Sequence, residues 1–264
     1  MKAVILCGGQ GTRIRDVSEV LPKPMLPIGG KPIVWHIMKM YAAYGVKDFV
    51  LCLGFKGWVI KEFFLNYRSM VNDVTVRLGK EPGVTIHQPA EEEWTVTLAE
   101  TGENTATGGR VARVRRYLEN DDAFCLTYGD GVSDVDVSKL IAFHKAQKKV
   151  CTVTAVRPPG RFGEMRLDGD TVTEFNEKPQ ASEGFINGGF FVCDTRKFFD
   201  YLGDSPSTVL EREPMQKLSD DHQLAAYKHT GFWQPMDTYR EYQLLNDAWA
   251  KNAAAWKSWK DDAR

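Results

Sequence analysis

The chain has 264 residues, of which 43% are hydrophobic and 26% are charged, a composition typical of a globular protein with a buried core. Its 34 basic and 35 acidic residues leave a net charge of −1, which provides no overall attraction to nucleic acid. No apolar run approaches the roughly 20 residues that cross a bilayer, and the opening stretch has no cleavable leader motif, so we expect a cytoplasmic protein. The five cysteines and five histidines lack metal-ligand spacing, and we expect them to be structural.

The first strand-like segment ends in a cluster of glycines. Residues 3–7 form a short apolar run, which is followed closely by Gly8, Gly9, Gly11 and Arg13. Because glycine has no Cβ, backbone N–H groups in such a turn can approach an anion, and ligands of α/β sheets bind at the carboxyl ends of strands. The pattern predicts a phosphate-binding turn. The alternative interpretation is a glycine turn at an ordinary strand end.

Two well-known phosphate loops fit this turn poorly. A Walker loop needs a Lys-Ser or Lys-Thr pair after its last glycine, and none follows these glycines at the required spacing. A dinucleotide-binding loop needs a small residue at its sixth position for close helix packing, whereas this chain has Ile14 there. A nicotinamide-dependent dehydrogenase is therefore a distant alternative.

The first half of the chain alternates between strand and helix patterns. After the opening strand, further strands are predicted at 48–53, 74–78, 95–98 and 123–128. Helices are predicted at 32–41, 58–67, 109–118 and 135–146. This order predicts an α/β fold with a Rossmann-like, mostly parallel central sheet and helices on both faces.

The second half contains shorter strands and more loops. We expect a strand at 151–156, a small antiparallel hairpin from 165–167 and 171–175, a strand at 190–193 and a helix at 239–249. No internal repeat or flexible linker interrupts the chain. We therefore expect a single domain over residues 1–264, in which alternating strands and helices give way to shorter strands and more loops near residue 156.

Six further motifs follow the opening GGxGTR and PKPM segments. They are TGGR (107–110), YGDG (128–131), GRFG (160–163), EKP (177–179), INGGFF (186–191) and GFWQPMDT (231–238). In this order they resemble the sugar nucleotidyltransferases, and in particular those members that make CDP-glucose from CTP and glucose 1-phosphate. The resemblance covers residues 1–259 and implies the nucleotide-diphospho-sugar transferase fold. It also implies that residues 1–156 bind the nucleotide, and that residues 157–264 bind the sugar and form a C-terminal helical tail.

The family reaction explains why charged residues are needed. A sugar-phosphate oxygen attacks the α-phosphorus of the nucleotide in line and pyrophosphate leaves, so the protein must position anions and neutralise charge. The resemblance implies Mg²⁺ as the cofactor and Asp130 and Asp237 as its ligands, in keeping with the one or two carboxylates that Mg²⁺ usually takes from a protein. For either aspartate alone, the alternative is a turn or helix N-cap residue.

The resemblance assigns the nucleotide to the N-terminal half. It implies that the opening loop wraps the triphosphate, that Arg13 faces the leaving pyrophosphate and that Lys23 reaches the α-phosphate. The loop at 105–110 would read the base through backbone groups and Arg110. The implied nucleotide contacts are Leu6, Cys7, Gly8, Gly9, Gln10, Gly11, Thr12, Arg13, Lys23, Thr105, Gly108, Gly109, Arg110 and Asp130.

The resemblance places the sugar against the second half of the chain. Lys178 would bind the sugar phosphate and join Arg13 and Lys23 as a catalytic cation, although an isolated lysine is usually a solvated surface residue. Trp233 either stacks on the sugar or fills the core, and we favour the core. The implied sugar contacts are Gly163, Glu177, Lys178, Asn187 and Gly188.

Two rival functions remain open for the chain. One is a sister enzyme that uses UTP, dTTP or another sugar phosphate, and the other is a noncatalytic nucleotide-sensing module on the same fold. Charged residues favour an enzyme, since a sensor needs no charge to stabilise a leaving group. The resemblance also implies a homo-oligomer that acts in nucleotide-sugar and lipopolysaccharide O-antigen biosynthesis, without nucleic acid or membrane partners.

Overall fold

The computed structural model describes residues 1–9, 21–87, 92–158, 164–168, 171–176 and 184–260. The strands are β1 Lys2–Leu6, β2 Pro27–Ile28, β3 Lys31–Pro32, β4 Asp48–Leu53, β5 Val74–Arg77, β6 Gly83–Ile86, β7 Thr95–Glu100, β8 Ala123–Tyr128, β9 Gly131–Ser133, β10 Cys151–Val156, β11 Glu164–Asp168, β12 Thr171–Asn176, β13 Ile186–Asp194, β14 Leu224–His229 and β15 Trp233–Pro235. The α-helices are α1 Ile33–Ala43, α2 Gly57–Leu65, α3 Tyr67–Val71, α4 Thr107–Arg113, α5 Val137–Gln147, α6 Glu213–Asp220 and α7 Tyr239–Ala250. Within these ranges, no helix combines the length and the apolar character needed to cross a lipid bilayer.

A seven-stranded sheet forms the centre of the fold, in the order β14-β10-β13-β8-β1-β4-β7. β1 is parallel to both β4 and β8, β4 is parallel to β7, and β10 is parallel to β14. β13 runs antiparallel to its neighbours β10 and β8. The predicted mostly parallel sheet is therefore confirmed, as are the small antiparallel hairpins, of which β11 and β12 form one.

Hydrophobic cores fill both faces of the sheet. Successive side chains of a strand point to opposite faces, so a strand buried on both sides contributes to two cores. In β1, Ala3 and Ile5 join the core that packs against α1, α5 and α7, whereas Val4 joins the core that packs against α4 and α6. All five cysteines are buried and unpaired, as predicted. The prediction of helices on both faces is confirmed.

The structure differs from the prediction at several short helices and strands and at segments that contain adjacent glycines. The helix expected at 109–118 begins at Thr107 and ends at Arg113, and a 3₁₀ turn follows it. α6 and the strand β14 were not predicted, because the sequence of α6 is largely polar and β14 is an edge strand of mixed burial. The strand predicted at 190–193 is longer than expected, because residues 186–189 also belong to β13, whose pairing with β10 is irregular near its two glycines.

The C-terminal tail packs around a buried histidine. The ring of His36 lies 4.7 Å from that of Trp249 and 6.1 Å from those of Trp256 and Trp259. Nε2 of His36 lies 2.9 Å from the carbonyl oxygen of Ile28, and the indole N–H of Trp256 donates to Nδ1 over 3.4 Å. Because an indole N–H can only donate, His36 is neutral with its proton on Nε2. Burial lowers the pKa of His36 to about 4.

We expect the free energy of unfolding to fall as the pH is lowered from about 6.5 towards 4, because unfolded His36 binds a proton in this window and folded His36 does not. The slope from this one residue should approach about 1.4 kcal/mol per pH unit. Chemical denaturation of the wild type and of His36→Gln at several pH values would measure it, with the variant giving the shallower slope.

The matched control for this experiment is His222→Asn. His222 is exposed and has a φ of 54°, which asparagine tolerates, so this variant should keep the slope of the wild type. Equal slopes for the wild type and His36→Gln would show that another group controls acid stability.

Candidate active site

Two adjoining pockets open at the carboxyl ends of β1 and β8. The first, here called the glycine pocket, has a volume of about 350 Å³ and is lined by Gly8, Gly9 and Lys23. The second, here called the Trp233 pocket, has a volume of about 690 Å³ and is lined by Asn187 and Trp233. The residues that line both pockets are Thr107, Tyr128, Asp130 and Asp237. A ligand in one pocket would therefore lie beside a ligand in the other.

A two-stranded ladder brings two distant aspartates together. β9 and β15 pair antiparallel with Gly131 opposite Pro235, and the N–H of Met236 donates to the carbonyl of Asp130 over 2.8 Å. Asp130 and Asp237 consequently flank the same end of the ladder. The two aspartates are far apart in the sequence, and the pairing of these two three-residue strands brings them together.

The start of α7 fixes the backbone beside the second aspartate. The carboxylate of Glu241 accepts hydrogen bonds from the N–H groups of Asp237 at 2.7 Å and Thr238 at 2.9 Å. Thr238 is the N-cap of α7 and forms a capping box with Glu241. The alternative interpretation of Asp237 as the helix N-cap is therefore wrong, and its carboxylate points to a different partner.

That partner is Lys23, which lies between the two carboxylates. Its Nζ is 2.6 Å from Oδ2 of Asp130 and 2.5 Å from Oδ1 of Asp237. The side chain begins in a 3₁₀ turn at Lys23–Met25 and is largely buried. Burial lowers the pKa of Lys23, but the two carboxylates outweigh this effect and raise the pKa above its ordinary value. The site therefore contains a fixed positive charge between two negative ones.

The same carboxylates fit a divalent cation of the Mg²⁺ type. Both already surround a positive charge, and carboxylate oxygen is the ligand that Mg²⁺ prefers. In the part of the chain that the structure describes, no cluster of three or more His, Cys, Asp or Glu side chains is suited to a metal ion. Two carboxylates are enough for Mg²⁺ when substrate phosphates and water supply the remaining ligands.

Arg110 supports the glycine turn from inside the protein. Its terminal nitrogens donate, over 2.8–3.0 Å, to oxygens of Gly8, Leu53, Thr101, Gly102 and Glu103. The residue is only 4% exposed, and a Cβ on Gly8 or Gly54 would collide with its guanidinium. Arg110 also lines the glycine pocket, so its contact with the base stays a prediction, although its terminal N–H groups are already engaged.

Gly108 and Gly109 also have neighbours that the sequence did not indicate. A Cβ on Gly108 would lie 3.0 Å from the carbonyl oxygen of Thr208, and one on Gly109 would lie 2.8 Å from that of Pro206. The N–H of Gly109 donates to the carbonyl of Thr208 over 3.1 Å. These glycines let α4 pack closely against residues 206–208, whereas the prediction placed them against the base.

The remaining predicted residues fall into four groups. Those that line the glycine pocket are Leu6, Gly8, Gly9, Lys23, Thr105, Asp130 and Asp237, and those that line the Trp233 pocket include Asn187 and Gly188. Cys7 is fully buried. Predicted residues that lie outside the described part of the chain are Gln10, Gly11, Thr12, Arg13, Gly163, Glu177 and Lys178.

Sequence reasoning missed several residues of the Trp233 pocket. No motif indicated Glu211 or Glu241 as site residues, because an isolated glutamate in a charged stretch is usually solvated. Trp233 packs against the core, as we favoured, and its indole N–H donates to the carbonyl of Gly188 over 2.7 Å, while its stacking on a sugar stays a prediction. The indole N–H was the feature that could have indicated this position, because a buried tryptophan usually needs an acceptor.

We expect Arg110→Ala to lower the free energy of unfolding by roughly 3 kcal/mol, because several oxygens would lose a charged donor. Chemical denaturation measures the change. Arg116→Ala is the matched control, since Arg116 is exposed and bonds the hydroxyl of Tyr117 next to it, and its effect should stay within about 0.5 kcal/mol. Unchanged stability of Arg110→Ala with weakened nucleotide binding would instead support the predicted contact with the base.

Comparisons with known proteins identify the family of this chain. The nucleotidyl transferase family model matches residues 2–252. Glucose-1-phosphate cytidylyltransferases of Salmonella typhi and Salmonella typhimurium are each 49% identical over 98% of this chain and 100% of their own length. The crystal structure of HddC from Yersinia pseudotuberculosis has a similar fold, with a TM-score of 0.64, 22% identity and coverage of 94% of this chain and 99% of that one. The chain therefore belongs to the nucleotidyl transferase family.

Proposed function

We propose that this protein transfers the cytidylyl group of CTP to glucose 1-phosphate, which yields CDP-glucose and pyrophosphate. The observation that carries the proposal is the Lys23, Asp130 and Asp237 cluster at the junction of two pockets. Nucleotidyl transfer joins two phosphorylated substrates, so it needs two adjoining sites with cationic groups between them. The substrates are those in the names of the Salmonella relatives, which share 49% of their residues with this chain.

The nucleotide occupies the glycine pocket in this proposal. Gly8 and Gly9 line this pocket, and a Cβ on Gly9 would meet nothing within 4 Å, so the space beside Gly9 can admit a triphosphate, whereas the missing Cβ of Gly8 leaves room for the guanidinium of Arg110. Thr105, just before α4, and Thr107, its first residue, also line this pocket and are the described candidates for contacts with the cytidine. Arg110 also lines the pocket and holds the turn at Gly8 in place.

The sugar phosphate occupies the Trp233 pocket. Asn187 and the carbonyl of Gly188 provide polar groups for sugar hydroxyls, and the ring of Trp233 provides an apolar wall. A phosphate oxygen of the sugar attacks the α-phosphorus, a new P–O bond forms, and the bond to the leaving pyrophosphate breaks. The roles of Arg13 at the pyrophosphate and Lys178 at the sugar phosphate remain predictions, because both residues lie outside the described ranges.

Lys23 and the two aspartates supply the electrostatic part of the reaction. The Lys23 ammonium lies at the boundary of the two pockets, where it can neutralise charge that develops on the α-phosphate. Mg²⁺, when held by Asp130 and Asp237, would screen the phosphate charges and orient the nucleotide. The homo-oligomer and the cytoplasmic location remain predictions.

Purified protein with Mg²⁺ should release pyrophosphate fastest from CTP and glucose 1-phosphate, with kcat/KM at least about tenfold above that for UTP or dTTP, because recognition of base hydrogen-bonding groups discriminates strongly. An assay across a grid of nucleotides and sugar phosphates measures this preference. Equal rates with UTP or dTTP would overturn the choice of base but keep the reaction class. Binding without turnover on any pair would instead indicate a sensor.

Lys23→Ala should have two opposite effects. Loss of a cation at the reacting phosphate should lower kcat/KM at least about a hundredfold. At the same time, Mn²⁺ should bind the nucleotide-free protein at least about threefold more tightly, because the ammonium no longer competes for the carboxylates of Asp130 and Asp237. Electron paramagnetic resonance titration with Mn²⁺ measures the affinity.

Two control variants sharpen this test. Lys145→Ala, at an exposed position of α5, should change neither quantity. Asp237→Asn should weaken Mn²⁺ binding, because it removes one of the two charged ligands. Weaker Mn²⁺ binding by Lys23→Ala would contradict competition between the ammonium and the metal.

A further inference from the structure

A chain of hydrogen bonds connects the two pockets through a glutamate that no motif indicates. The hydroxyl of Thr107 donates to Oε2 of Glu211 over 2.7 Å, and the hydroxyl of Tyr128 donates to Oε1 over 2.6 Å. Nδ2 of Asn187 donates in turn to the Tyr128 hydroxyl over 3.2 Å, and Oδ1 of Asn187 accepts from the N–H of Gly189 over 2.8 Å. The path leads from the first residue of α4 to the start of β13.

The direction of each proton in this chain follows from Glu211. A carboxylate can only accept, so the hydroxyls of Thr107 and Tyr128 must both donate to it. The Tyr128 oxygen is then left with acceptor capacity alone, which it uses for the amide of Asn187. Burial, reinforced by the charge of Glu211, raises the pKa of Tyr128, so this hydroxyl keeps the proton that it donates.

The amide of Asn187 is thereby fixed at both ends. Its oxygen faces Gly189 and one amide hydrogen faces Tyr128, which leaves the second amide hydrogen for a ligand in the Trp233 pocket. Without Glu211, the Tyr128 hydroxyl could rotate and donate elsewhere, and Asn187 would lose the acceptor that orients it. A donor held in one direction favours one arrangement of sugar hydroxyls over its epimers.

Glu211 is not a component of the hydrophobic core. It is exposed at the rim of the Trp233 pocket, and its two partners belong to different elements, the start of α4 and the end of β8. The preceding residue, Leu210, donates its N–H to the hydroxyl of Thr107 over 2.9 Å, which fixes the backbone at this point. The carboxylate therefore connects a wall of the glycine pocket with the amide that faces the Trp233 pocket.

We propose that Glu211 is a positioning residue that sets the sugar selectivity of the enzyme by orienting Asn187 through the hydroxyl of Tyr128. This inference rests on the proposed function in one respect, namely that the Trp233 pocket holds the sugar. It assigns to Glu211 no contact with the reacting atoms, so its removal should affect the choice and affinity of the sugar more than the use of the nucleotide.

The test compares Glu211→Ala and Tyr128→Phe with the wild type. For each protein, kcat/KM is measured with glucose 1-phosphate and with its C2 and C4 epimers, mannose 1-phosphate and galactose 1-phosphate, and KM is measured for CTP. Both variants should raise KM for glucose 1-phosphate about tenfold and reduce the preference over at least one epimer about tenfold, while KM for CTP, whose proposed pocket Thr107 and Tyr128 also line, rises less than about threefold. Tyr128→Phe keeps the aromatic ring and serves if Glu211→Ala does not fold.

Three further variants separate positioning from charge and from general stability. Glu211→Gln should keep most of the selectivity, because its amide oxygen can still accept from Tyr128. The double variant Glu211→Ala/Tyr128→Phe should be no less selective than either single variant, since both break the same path. Glu213→Ala is the matched control, because Glu213 lies two residues away on α6 and pairs with Lys217.

Several results would overturn the inference. Unchanged epimer preference in Glu211→Ala and Tyr128→Phe would remove Glu211 from sugar selection. A parallel loss of activity on all sugars, with an equal rise in KM for CTP, would indicate a general structural role. If the wild type itself prefers a different sugar phosphate, the proposed substrate fails, and the role of Glu211 is then decided by the same ratio between that sugar and its epimers.

Discussion

The guanidinium of Arg110 joins the carboxyl ends of three neighbouring parallel strands. Its acceptors are Gly8 after β1, Leu53 at the end of β4, and residues 101–103 after β7. Carbonyl groups beyond the end of a sheet have no ladder partner, and a buried one without a donor costs free energy. A single charged side chain from α4 donates hydrogen bonds to the oxygens at this edge. Its positive charge also offsets the carbonyl dipoles beside the pocket proposed for a triphosphate. The position of the glycine turn consequently depends on how α4 packs.

The second electrostatic element is the cluster at the pocket junction. Lys23, Asp130 and Asp237 carry one positive and two negative charges, so the cluster as a whole has an excess of one negative charge. A divalent cation is attracted to such a cluster, and an anionic substrate alone is not. This balance favours a nucleotide that arrives together with its metal, because the pair brings compensating charges to the same place.

Much of the fold could be predicted because its central strands are continuous apolar runs. The strands β4, β8 and β10 have the predicted boundaries, since burial on both faces favours mostly apolar or β-branched residues along the whole strand. The ladder of β9 and β15 is different, because three-residue strands carry no periodicity. The family motifs indicated Asp130 and Asp237 as a pair, but only the folded chain places Lys23 between them.

The roles of other site residues depended on contacts between segments far apart in the sequence. Arg110 follows two glycines in a loop that the resemblance assigned to the base, and its burial among carbonyl groups follows from the positions of three strands. The packing partners of Gly108 and Gly109 come from residues 206–208, a segment without a strand or helix pattern. Local sequence can indicate which residue types a site needs, but not which of them supports another.

The reversed direction of β13 has a consequence for specificity. Because it runs against its neighbours, this strand begins, rather than ends, at the edge of the sheet where the pockets open, and Asn187 is its second residue. Phe190 and Val192 pack into one core while Phe191 and Cys193 pack into the other. A slip of one residue would exchange these faces and move Asn187 by about 3.3 Å along the strand. In the proposed site, selection of a sugar would thus depend on the alternation of apolar side chains deep in the sheet, and substitutions there would change substrate preference without touching the pocket.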